Sequence, residues 1–288
     1  MNSRRMRSTA LIAALAVVAA GVAGLGYRWL TTSRPVTEAS AVQTYRAEHP
    51  VASSATPAPT AAPRSTPARV SSGVTASAGQ VVATASPSAT SWLHVPASGV
   101  YTYDTTGYER ATFSRNYPSQ TQRIVDTTGG RYDNHHIFSQ EHEEWFSLHP
   151  TASGGVMLKR RIRVTFGPVT IDKTVVFNPG LKGVPFPYVL GQSWSGSWGG
   201  DPSGTYTGKT TNHTTVDIGG RNVEVWVEDV TAHVTGSISG TIFVRLWWAP
   251  SLGIDAREDG IYDMQARGVP GTYHTQYTVT LHSVTPHQ

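Results

Sequence analysis

From Trp92 to the C-terminus, apolar and polar residues alternate one by one in segment after segment, and this constrains the fold more than any other feature of the chain. A period of two sends successive side chains to opposite faces of an extended strand. Ile238, Ile242, Val244, Leu246 and Trp248 fall on one face, and Ser239, Thr241, Phe243, Arg245 and Trp247 on the other. Tyr273, Thr275, Tyr277, Val279 and Leu281 alternate in the same way with His274, Gln276, Thr278, Thr280 and His282. Reversals are marked by Gly167-Pro168 and by two Gly-Gly pairs, Gly129-Gly130 and Gly219-Gly220, which can adopt the positive φ angles of tight hairpins. Roughly eleven strands follow from these signals. They lie near 100–105, 108–115, 120–127, 132–138, 141–148, 156–166, 168–177, 205–217, 221–234, 237–248 and 272–284. Short reversals favour antiparallel neighbours. The expected fold is all-β, a large antiparallel meander curled into a half-barrel or barrel, with a sandwich as the alternative. In 221–234 the apolar phase slips between Val223, Val225, Val227 and Val230, Ala232, Val234, which predicts a β-bulge near Glu228-Asp229.

The N-terminal third has a different texture. Residues 1–7 carry Arg4, Arg5 and Arg7 and are expected to be a cytoplasmic stub. Residues 8–30 hold an apolar run ending in Tyr27 and Trp29, read as a transmembrane helix with a cleaved signal peptide as the alternative. Residues 31–91 contain 42 Ala, Ser, Thr or Pro and are expected to be a disordered linker. Residues 92–288 form the β domain, placed outside the cell by this reading. Cell-membrane localisation with a single pass and an extracellular C-terminal domain is thus the expectation, the membrane being a partner through the N-terminal helix.

Charge and composition exclude several functions. The formal net charge of +4 hides a division, because residues 92–288 hold fifteen basic and seventeen acidic residues. A weakly acidic domain without a basic stripe is a poor nucleic-acid partner. The absence of cysteine removes disulfides, thiol nucleophiles and Cys-ligated metals. No cofactor is expected.

The densest polar cluster runs from Asp133 to Trp145 and includes His135, His136, Glu141, His142, Glu143 and Glu144. On a strand, His142 and Glu144 share one face while Glu141 and Glu143 share the other, so the carboxylates are split; a solvated hairpin is the expectation, a weak metal site the alternative. Lys159, Arg161 and Arg163 alternate on the next strand and are expected to pair with 141–144 across the hairpin. Gly204-Thr205-Tyr206-Thr207-Gly208-Lys209-Thr210 has only three residues between its glycines and no βαβ setting, so it is read as a strand rather than a phosphate loop. Seven tryptophans lie in the domain. Trp226 and Trp248 are read as core filling. Trp194, Trp198 and Trp247 are the candidate ligand-binding residues, because an indole among small neighbours can form a platform or line a pocket.

Leu246-Trp247-Trp248-Ala249-Pro250-Ser251-Leu252-Gly253-Ile254 and the opening Gly99-Val100-Tyr101-Thr102-Tyr103 with Gly107 resemble the ends of bacterial extracytoplasmic domains similar to the LolA/LppX half-barrel carriers. The basic N-terminus, apolar run and tether, with 19 Arg against 4 Lys, resemble exported proteins of actinobacteria. This resemblance implies a binding or carrier domain. The sequence reading is therefore a non-enzymatic, membrane-tethered binding module for a lipid or other amphiphile. The alternative is a cell-envelope scaffold contacting wall glycan or a partner protein through an exposed aromatic face.

Overall fold

The structure is a computed structural model that describes residues 33–50 and 94–288. Thirteen strands make one antiparallel sheet: β1 (Gly99–Arg110), β2 (Ser114–Asn116), β3 (Gln120–Thr128), β4 (Arg131–Ser139), β5 (His142–Thr151), β6 (Gly154–Phe166), β7 (Val169–Pro185), β8 (Ser193–Trp198), β9 (Ser203–Ile218), β10 (Arg221–Thr235), β11 (Ile238–Ala249), β12 (Ile254–Ala266) and β13 (Tyr273–Leu281). The spatial order is β7-β6-β5-β4-β3-β1-β13-β12-β11-β10-β9-β8, with the short β2 beside β1. Strands β7 and β8 form the two ends of this path. The gap is closed by side chains: Phe177 of β7 stands edge-on to Trp198 of β8 at 6.0 Å, and the hydroxyl of Tyr206 on β9 donates to the main-chain carbonyl of Lys182 on β7 at 2.7 Å. The result is a nearly closed antiparallel barrel, not a half-barrel.

The hairpins follow from the sequence. Gly129, Gly130, Gly219 and Gly220 all take φ between 57° and 80°, as two-residue turns require. The phase slip in β10 is a register shift against β9 between Val227 and Glu228. It lets Val223 and Val225 join the core while Glu228, Val230, Ala232 and Val234 face the barrel interior further along. At Gly107 the chain has φ +130°, and a Cβ there would run into the Gln276 carbonyl of β13. Gly107→Ala is accordingly expected to lower stability by about 1–3 kcal/mol. Urea unfolding of the full chain checks this; an unchanged midpoint would refute it.

Two core regions sit on opposite faces of the sheet. Inside, Tyr101, Tyr103, Phe138, Tyr262, Tyr277 and Leu281 fill the side walled by β1, β3, β4, β12 and β13. Outside, the helix α1 (Glu38–Glu48) lays Ala41 and Tyr45 on Val100, Ile124 and Ile137. Thr37 caps α1, and Glu38 accepts a 2.7 Å hydrogen bond from Thr102. Arg34 pairs with Glu141, and Arg46 donates to the terminal Gln288 carbonyl.

These findings correct several expectations. Part of the stretch read as a disordered linker is this docked helix; with only Ala41 and Tyr45 buried, it carries too short an apolar stripe to register as a period. Among the described residues no helix is long and apolar enough to cross a membrane. Helix α1, at 11 residues, spans about 16 Å against the ~30 Å of a bilayer core. Residues 8–30, on which the transmembrane reading fell, lie outside the described residues, as do 1–7 and 51–91. The fold is therefore a barrel without a membrane helix before it among those residues. Among the described residues nothing supports the single-pass localisation, the membrane partner or the membrane-tethered function.

Candidate functional site

Away from its filled side the barrel is hollow. Inward-facing side chains of β5–β12 enclose a cavity of about 390 Å³. The alternating face read in β11 is the face that lines it: Ile238, Ile242, Val244, Leu246 and Trp248. Opposite stand Ile162, Val164, Ile171, Val175 and Phe177 from β6 and β7.

Trp194 and Trp198 also line this cavity, and β8 and β9 show how the sequence puts them there. In register, Trp194 faces Gly208, Gly196 faces Tyr206, and Trp198 faces Gly204. Each ring lies where its cross-strand partner has no side chain: a Cβ on Gly208 would meet the Trp194 indole, and one on Gly204 the Trp198 indole. The Gly/Ser-rich texture of both segments is thus a complementary pattern of rings and gaps. Trp247 belongs elsewhere. It alternates away from the cavity and lies under the Arg257 guanidinium, 4.6 Å from its carbon.

The cavity floor is ionic. Arg123 on β3 is 1% exposed, and its guanidinium bonds Asp255 at 3.0 Å and Glu258 at 3.2 Å. It also lies over the Tyr103 ring at 4.5 Å and donates to His136 Nδ1 at 3.2 Å. Burial, and then Arg123 itself, hold His136 far below its usual value, so the ring stays neutral and can accept that bond. Glu228 on β10 is different. It is 5% exposed, faces the cavity, and its Oε1 has no hydrogen-bond partner. Burial, with Asp255 adding to it, lifts its carboxyl to about 8.

A second buried network lies behind β5. His142 is wholly buried between Glu109, 3.4 Å from Nδ1, and Glu144, 3.3 Å from Nε2. Arg115 bonds Glu109 at 2.6 Å and Arg160 bonds Glu144 at 2.8 Å. Burial works against the His142 charge, but the two glutamates overcome it and lift the imidazole to about 9. Burial likewise pushes Glu144 up, and Arg160 and His142 overcome it to hold the carboxyl at about 2. The hairpin read as solvated therefore buries four of the six His and Glu side chains named in it, His136, Glu141, His142 and Glu144. The other two, His135 and Glu143, face outward; of the three basic residues expected to pair across the hairpin, Arg163 meets Glu143, whereas Arg161 pairs with Asp172 on β7. Among the described residues no group of three or more His, Cys, Asp or Glu is placed to hold a metal ion.

The third feature lies at the rim of the barrel, where Phe186, Tyr188 and Trp226 are half-buried and His213 is exposed; Trp226 is thus not the core filling expected of it. Trp226 is stacked between Tyr188, at 5.2 Å and 16°, and His213, at 4.2 Å and 15°. Phe186 meets Tyr188 edge-on at 6.3 Å. In the same loop between β7 and β8, Val189 is 53% and Leu190 61% exposed. Neither the column nor its aliphatic neighbours was singled out as a site in the sequence. His213 and Trp226 are cross-strand partners in the β9–β10 hairpin, and Tyr188 joins them from the loop between β7 and β8.

No family model, curated protein or solved structure matches the chain. The resemblance to LolA/LppX carriers and to actinobacterial proteins is thereby corrected: a Trp-Ala-Pro corner and a Gly-Val-Tyr opening are shapes that many antiparallel sheets need, and the chain rests on its own geometry as a nearly closed antiparallel β-barrel.

Proposed function

We propose that the barrel is a non-enzymatic contact module that meets a protein partner through the Phe186–Leu190 loop and the Trp226–His213 column. The observation that carries this reading is the stacked column of Tyr188, Trp226 and His213 beside two exposed aliphatic side chains, Val189 and Leu190. An aromatic surface fixed by stacking presents large contact area with little side-chain entropy left to lose. Contiguous apolar surface on a soluble face marks interaction sites. Val189 and Leu190 favour a protein over a glycan, because aliphatic side chains complement apolar residues and offer sugar hydroxyls nothing.

The test places a photo-crosslinking residue at Val189 in the full chain in its native cells. One discrete crosslinked protein is expected, identified by mass spectrometry and absent when the crosslinker sits at the β3–β4 turn residue Arg131. Leu190→Asp should abolish the adduct while shifting unfolding free energy by less than ~0.5 kcal/mol, as surface changes do. No adduct, or the same adducts from both positions, would sink the protein-partner reading. Retention on insoluble wall glycan that depends on Trp226 would replace it with a glycan one.

A further inference from the structure

We propose that the barrel interior is a binding site for an apolar amine, with the aliphatic body among the β6–β7 and β10–β11 side chains and the ammonium on Glu228. The cavity, at about 390 Å³, falls in the ~300–1,000 Å³ range of small-molecule sites. Its walls are largely aliphatic and aromatic, and only a few polar groups converge on its floor.

The sign of the ligand follows from the charges there. Arg123 on β3 is already shared between Asp255 and Glu258 on β12. Arg160 on β6 is committed to Glu144. Glu228 on β10 has no cation, and its buried Oε1 has no donor of any kind. A buried carboxyl left without a partner costs free energy that a bound donor recovers. A second acceptor lining the cavity, Asn134 Oδ1, is likewise buried without a partner. An anionic ligand would find both guanidinium groups of the lining, Arg123 and Arg160, already held by Asp255, Glu258 and Glu144. Lys173 and Lys182 do line the cavity from β7, but Lys173 is half-buried and Lys182 exposed, so both keep their hydration. An ammonium offers three donors and one positive charge to Glu228 and Asn134, the two unpartnered acceptors of the lining; Trp194, Trp248, Arg123 and Arg160 each keep a buried N–H without an acceptor there, so the match is to those two groups and not to the floor as a whole.

Binding should also release a proton. Glu228 titrates near 8 in the free barrel, so at pH 7 it is mostly uncharged, while a primary amine arrives protonated. Forming the ammonium–carboxylate pair sends the Glu228 proton to the buffer. Asp255, Glu258, Arg123, Arg160, Lys173 and the Tyr188 hydroxyl also line this cavity. Among these, the two carboxylates are already paired with Arg123, so Glu228 is the group expected to give up the proton.

The experiment is calorimetric titration of the full chain with n-decylamine, decan-1-ol and decanoate, three probes of equal chain length. Decylamine is expected to bind at least tenfold tighter than the other two. At pH 7 about one proton per amine should be released, read from two buffers of different ionisation enthalpy, and none with the alcohol. Glu228→Gln should weaken decylamine at least tenfold and leave decanol binding in place, which also shows that the variant folds. Ile242→Trp, which fills the cavity from β11, should remove binding of amine and alcohol together. The proposal is overturned if decanoate binds tightest, if Glu228→Gln binds decylamine as tightly as the parent, if Ile242→Trp retains the amine, or if none of the probes binds. Tyr188 belongs to both sites, but the readouts differ, a crosslink at Val189 against binding of the three probes, so the two proposals fail separately.

Discussion

Replacing Arg123 by methionine is expected to lower the stability of the barrel by about 3–5 kcal/mol at neutral pH. Methionine keeps much of the side-chain volume and removes the charge. Asp255 and Glu258 are then left buried against each other, with Tyr103 and His136 losing the group they pack on. Both carboxyls are already pushed upward by burial in spite of Arg123. Without it they rise further and take up protons, so the loss should shrink toward pH 5 and grow above pH 7. The companion variant Arg123→Met/Asp255→Asn/Glu258→Gln should recover most of the loss, because exchanging a whole buried ionic group is far cheaper than breaking it. Urea unfolding of the three chains at two pH values reads all of this. A single-variant loss below ~1 kcal/mol would mean that the guanidinium is not the keystone of the floor.

The second large effect concerns pH. The signs differ between the two buried networks. Glu228 has its folded value raised from 4.5 to about 8, so the stability it permits is fully present below 4.5 and is lost as pH rises through 8. His142 is raised from 6.5 to about 9, so its contribution is fully present below 6.5 and is lost as pH rises through 9. Glu144 is lowered from 4.5 to about 2, so its contribution is present above 4.5 and is lost as pH falls through 2. The barrel should therefore be most stable in mildly acidic solution and weaken by several kcal/mol between pH 5 and pH 9. Glu228→Gln should flatten the part below pH 8, and His142→Gln the part above 6.5. Equal stability at pH 5 and pH 9 would contradict the buried state of both groups. A free energy of folding forfeited at Glu228 at neutral pH is also what a site held ready for a ligand looks like from the stability side.

How much of this was legible in the sequence depends on which rule each strand obeys. Strands β11 and β13 obey simple alternation, and the faces read for them are the faces observed. The bulge in β10 was visible because valine marks both phases. Strand β12 falls between the expected strands 237–248 and 272–284, where no strand is read. It is a strand because Glu258 points inward to Arg123, and no periodicity argument expects a buried carboxylate. Strand β8 was missed because serine and glycine dominate it. Its partner β9 is the next strand in the chain, but the ring-and-gap match between them shows only once the register is known. The same limit applied to the site. Of the three candidate tryptophans, Trp194 and Trp198 line the cavity, whereas Trp247 does not and lies under Arg257, because alternation sends it the opposite way from its neighbour Trp248. Glu228 carried no signal at all beyond its place at the phase slip.

The barrel joins its two halves through β1 and β13, with Tyr103 opposite Leu281, while its open ends β7 and β8 are neighbours in the chain. Read from β8 round to β13 and then from β1 to β7, the spatial order is the chain order with a single joint moved. His287 already bridges to Val100, so the last strand ends beside the start of the first. A circular permutant opened between β7 and β8 and joined from Gln288 to His94 would turn the one distant strand pairing into a hairpin and every ladder into a local one. Because folding slows as contacting residues grow further apart in the chain, such a permutant would close the same barrel with a smaller entropic barrier. The slow event in the natural chain is then the meeting of its first and last strands.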